Sequence, residues 1–181
     1  MSLFLATLLP GVFFALLGGL LLWNDPRVGS TARALPRSTG AAWVFFGSGT
    51  VWFLWRLSRL GEADLIFFQT PGVVMVAFGA LAVLAFIYAP DFLAVRGLCI
   101  LVLLAAEPPL YAAYMEWNYP WRVLMVAEVY LALALVLYLA AAPYRLRDIF
   151  EWLFSQPARV RLVGTVLLTC GLATIASAFT Y

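Results

Sequence analysis

Apolar residues run along this chain in long blocks, and polar positions are confined to the short stretches between them. Six blocks reach or approach the ~20 residues that a helix needs to cross a ~30 Å hydrocarbon core. They are 3–23, 41–60, 66–88, 92–115, 121–142 and 162–179. The pattern predicts an all-α, polytopic membrane helical bundle of about six transmembrane helices, forming a single integral membrane domain.

One connection departs from the rule. In 144–156, YRLRDIFEWLFSQ, the apolar residues Leu146, Ile149, Phe150, Leu153 and Phe154 recur at helical spacing among charged ones. This predicts a short amphipathic helix lying at the cytoplasmic membrane interface. Pro157 follows, suited to the first position of the last span. The first connection, DPRVGSTARALPRS, is a weaker version with Asp25 as cap and Pro36 as terminator. Because both linkers are basic and close with a proline, spans one and two could correspond to spans five and six by duplication.

Composition agrees with the pattern: 65% of the 181 residues are hydrophobic and 11% charged. A soluble domain of this size still exposes roughly a third of the surface of its unfolded chain. Lipid must therefore solvate much of this one. Block 3–23 has no basic start and no small-residue cleavage site, so it reads as a retained helix rather than a signal peptide.

Charge sets an orientation. Arg27, Arg33 and Arg37 lie in the first connection, and Arg145, Arg147, Arg159 and Arg161 in or beside the fifth. Excess arginine marks the cytoplasmic side. Both termini are then extracytoplasmic, in a cell membrane, with a bacterial inner membrane the expected setting. A net charge of +2 offers no dense basic face for nucleic acid.

The chemical inventory is narrow. There is no histidine, and all 11 basic residues are arginine. Histidine-based catalysis and metal sites fall away with the first absence, and Schiff-base chemistry with the second. No catalytic residue, cofactor or metal site is expected. Cys99 and Cys170 read as small buried hydrophobes. Gly47, Gly49, Gly164 and Gly171, with Gly18 and Gly19, read as sites of close helix packing.

Charges inside the blocks are the remaining candidates. Pro108 and Pro109 predict that the fourth helix breaks or restarts just after Glu107. Counting outward from a turn near Trp117 puts Glu107 and Glu128 at similar depth, with Arg56 comparable. The three form a candidate intramembrane cluster. If the two carboxyls were adjacent, one would hold a proton.

These features give a leading expectation: a structural or accessory subunit, or a non-catalytic protein, that packs in the lipid bilayer with a larger membrane partner or with itself. The alternative is a small proton- or cation-linked transporter using the intramembrane carboxylates. A third class, a lipid enzyme with Asp148 or Glu151 as base, has least in its favour, because both read as the solvated face of 144–156.

Overall fold

The computed structural model describes residues 1–23, 25–61 and 70–181. It is 83% helical, and no strand occurs among the described residues. Helix α1 is Leu3–Trp23, and α2 is Pro26–Ala34, followed by a 3-10 turn at Leu35–Arg37. The second apolar block is helical throughout 39–57. It comprises α3, Thr39–Ala42, a π-helical turn, Trp43–Gly47, and α4, Ser48–Leu57. There follow α5, Pro71–Tyr88; α6, Leu93–Ala113; α7, Arg122–Ala141; α8, Arg145–Leu153; and α9, Pro157–Ala178.

Helices α1, α5, α6, α7 and α9 are each long and apolar enough to cross a membrane. The third predicted block began at 66. Its first residues lie outside the described part, and α5 opens at Pro71, whose missing N–H costs nothing at a first helical position. Pro157 opens α9 in the same way. At the head of α2, Asp25 accepts a hydrogen bond from the Arg27 N–H at 2.8 Å.

Small residues decide the closest helix pair. Helices α1 and α9 lie antiparallel, with Gly11 against Gly171 and Gly18 against Gly164. A Cβ on Gly18 would stand 2.4 Å from the Leu168 amide nitrogen, and one on Gly171 would stand 2.4 Å from that of Ala15. Dispersion and lost lipid contacts drive association in a bilayer, so such close backbone approach is itself the stabilising term.

A second close approach sets α6 on the π turn. A Cβ on Gly97 would fall 2.2 Å from the Phe46 nitrogen. The turn's extra residue moves the Phe45–Phe46 backbone out of the regular helical path, as π bulges do, and Gly97 supplies the space. Gly49 packs on Ile100 three residues further along both helices. Gly47 does not share this role: a Cβ there would meet nothing within 4 Å. Its expected packing function is therefore corrected. It faces an open groove whose walls also include Gly79 and Ala82 of α5.

The predicted break in the fourth span is also corrected. Helix α6 continues through Pro108 and Pro109 to Ala113. The prolines remove the N–H donors that would bond the Leu104 and Ala105 carbonyls. The helix still carries on, because Pro109 and Ala113 are buried against the bundle and Ala113 packs with Met125 of α7. Tertiary packing outweighs the local loss.

The connections sort to two ends. Gly29 and Arg33 of α2 touch Phe154 just after α8, with Arg33 donating to the Phe154 carbonyl at 2.9 Å. Arg37 stacks over Phe92, between α5 and α6. The first, third and fifth connections thus share one basic end. At the opposite end Phe4 meets Phe179, and Tyr119 meets Tyr181, so the two termini lie beside the α6–α7 turn. The apolar face of α8 packs on protein: Leu146 joins Val95, Cys99, Val136 and Leu139, while Leu153 joins Leu21 and Val160.

Candidate functional site

The three charges of the candidate cluster resolve into two separate arrangements. Glu107 and Glu128 each lie six residues from the end of their helix at the α6–α7 turn, about 9 Å along the axis at 1.5 Å per residue. Around them Ala106 packs with Met125 and Val129, which places the two glutamates in one layer of the bundle. They face different neighbours. Adjacent helical positions differ by about 100° around the axis, so equal depth leaves direction open.

Glu107 points toward α4. Nη2 of Arg56 donates to both of its carboxylate oxygens. The pair lies on the outside of the chain, with side chains 45% and 53% exposed. Because α6 continues past Glu107, this carboxylate belongs to the helix and not to a loop.

Glu128 points toward α9. Its Oε1 accepts a hydrogen bond from Thr174 Oγ1 at 2.7 Å. Its Oε2 is buried with no hydrogen-bond partner among the described residues. Thr7 and Ser177 are buried alongside Thr174. Ser177 Oγ donates to the Thr174 carbonyl at 2.8 Å, and Thr7 Oγ1 donates to the Tyr181 hydroxyl at 3.4 Å. Helices α1, α7 and α9 therefore contribute a small polar layer to an otherwise apolar core. No hydrogen bond joins the two glutamates among the described residues.

Thr174 and Gly97 were not singled out from the sequence, nor was Gly11. For Gly11 a signal existed. Gly11 and Gly18 are seven residues apart, and so are Gly164 and Gly171, which is the spacing of two antiparallel helices meeting twice.

The remaining candidates are structural in their contacts. Arg147 donates to Asp148 at 2.9 Å and lies 3.7 Å from Glu151. The hydrogen bond to Asp148, and then its charge, raise the Arg147 guanidinium above its ordinary pKa, so both acids face a permanent cation. Arg122 donates to the Ala113 carbonyl and stacks on Trp117, closing the end of α6. Cys99 is buried as expected, whereas Cys170 faces outward; both thiols are free.

Comparison of the chain with protein-family models, with curated proteins and with solved structures finds no match.

Proposed function

We propose that this protein is a six-span subunit of a cell membrane with no chemistry of its own, and that it joins a partner through the face carrying Arg56 and Glu107. The sixth span is the helical segment 39–57, whose 19 residues fall within the usual spanning range. The basic end is cytoplasmic and both termini are extracytoplasmic, by the arginine excess. In a bacterium the setting is the inner membrane.

One observation carries the accessory role: an ion pair sits on the outside of a span. Intramembrane charges almost always face a bundle interior or a water-filled cavity, since each costs ~2.5–3.5 kcal/mol on insertion scales. An outward pair is best stabilised when a neighbour covers it and supplies further hydrogen bonds. A second chain, of this kind or a larger membrane protein, provides that cover. The test is co-purification of a stoichiometric companion from native membranes. The companion should fall about tenfold on Arg56→Leu and be restored when the two charges are exchanged.

A second reading, proton or cation transport, draws on Glu128, whose buried Oε2 has an unused acceptor site. Three cavities of about 830, 310 and 310 Å³ are lined, among the described residues, by neither glutamate. Proton flux in vesicles holding the purified protein separates the readings: transport requires a flux that Glu128→Gln abolishes.

A further inference from the structure

Helix α5 leans on the 39–57 segment through aromatic contacts at two levels. Phe86 stacks on Trp43, with ring centroids 4.5 Å apart, and meets Phe46 edge-on. Toward the other end Phe53 meets Phe78 edge-on at 5.2 Å. Between these supports the facing residues are small: Gly47, Gly79 and Ala82, with Ala42 and Ala94 beside them. The helices are therefore held apart over a groove of about 830 Å³. It is bounded along one helical wall by Thr39 and Leu54, a length of about 22 Å at 1.5 Å per residue. That exceeds ~15 Å, half of a bilayer's hydrocarbon thickness.

The groove's polarity is one-sided. Arg37, Ser38 and Thr39 line its mouth at the basic end, and Thr50 is the other polar residue in its wall among the described residues. None of the described residues that line it is acidic. Arg37 is exposed, and its contact is the Phe92 ring at 5.6 Å; it has no carboxylate partner among the described residues. An unpaired guanidinium at headgroup level, above an apolar channel running into the membrane, matches an anionic amphiphile. A guanidinium recognises phosphate through paired, charge-assisted hydrogen bonds. The cytoplasmic leaflet, where this end is placed, is the anionic one.

We infer that this groove is a binding site for an anionic glycerophospholipid, with one acyl chain lying between 39–57 and α5 and the phosphate on Arg37. The site needs the membrane bundle but not the accessory role, so the two stand or fall separately.

Native mass spectrometry of the purified protein, offered dioleoyl phosphatidylglycerol or dioleoyl phosphatidylcholine, tests the site. The wild type should retain one phosphatidylglycerol per chain, with a preference of about tenfold over phosphatidylcholine, as one charge-assisted pair allows. Arg37→Gln should bring that preference close to unity. Arg27→Gln removes a charge from the same end without touching the groove and should leave the preference intact. Gly47→Leu enters open space, so the fold tolerates it, and it should reduce retention of both lipids. Equal loss of preference in the Arg27 and Arg37 variants would reduce the effect to general charge attraction and overturn the site. So would unchanged retention in Gly47→Leu. A dimer that Gly47→Leu dissociates, with no lipid retained, would assign the groove to a second chain instead.

Discussion

Arg56 and Glu107 meet because two earlier contacts set their helices in parallel register. Phe46 lies against Gly97, and Gly49 lies against Ile100. Each pair is separated by 51 residues, as are Arg56 and Glu107. Seven residues, or about two turns, beyond Gly49 and Ile100 the same helix faces meet again, and there the two charges pair. Glycines that look like packing detail therefore position the ion pair.

That dependence gives a first prediction. Gly97→Ala drives a methyl group into the Phe46 backbone, which cannot yield as a side chain tip would. The expected cost is at least ~2–3 kcal/mol, at the upper end for overpacking. Thermal denaturation in detergent should show a fall of roughly 4–12 °C for a chain of this size. Gly47→Ala serves as the control and should be neutral or stabilise by ~0.5–1 kcal/mol. Equal effects at the two positions would contradict the register argument.

The α1–α9 pair makes a second prediction. Gly18→Leu and Gly171→Leu each place a side chain where a backbone nitrogen already stands, so either should lower the melting temperature by more than ~6 °C. Gly19→Leu adds the same side chain one residue away, where a Cβ meets nothing, and should change it by less than about 2 °C. A large loss at Gly19 would mean that the face of α1 is wrongly assigned.

The buried polar layer makes a third. Thr174→Val removes the hydrogen bond to Glu128 Oε1 at nearly constant volume. Interhelical hydrogen bonds in membranes average ~0.6 and reach ~1.7 kcal/mol, so a loss of about 1 kcal/mol, or 2–4 °C, is expected. Thr169→Val removes only bonds within its own helix and should lie within ~0.5 kcal/mol of wild type. Circular dichroism melts of the two variants decide it.

Much of this architecture was legible in the sequence, and the gaps have a physical cause. Depth is encoded in counting: a hairpin with a turn near Trp117 places Glu107 and Glu128 in one layer whatever their direction. Direction is encoded in amphipathicity, and spans that are apolar all round carry almost none. Hence Arg56, Glu107 and Glu128 group together in the sequence, while the fold turns one acid to α4 and the other to Thr174. Pro108 and Pro109 signal a local break, but the packing of Ala113 on Met125 overrides it. The amphipathic pattern of 144–156 marks an apolar face without saying what covers it. In the structure Leu146 and Leu153 lie on other helices. Gly47 and Gly49 are two residues apart, so they point to different sides, and only Gly49 reaches α6.

Topology yields a fourth prediction. Ser30 and Asn118 are exposed at opposite ends of the bundle. Each is replaced by cysteine in a chain whose own cysteines are alanine. A membrane-impermeant maleimide applied to intact spheroplasts should label Asn118→Cys and spare Ser30→Cys until the membrane is opened. The reverse pattern would invert the bundle, and labelling of both from outside would undo the six-span arrangement.

The central claim is that the outward ion pair meets a partner. Mild-detergent purification of tagged chains from native membranes, with mass spectrometry of what accompanies them, tests it most directly when three forms are compared: wild type, Arg56→Leu, and the exchange Arg56→Glu with Glu107→Arg. A stoichiometric companion should accompany the wild type, fall about tenfold with Arg56→Leu as ~1.4 kcal/mol of binding is lost, and return with the exchange. A companion retained equally by all three forms, or a wild-type chain that purifies alone as a monomer, would contradict the account.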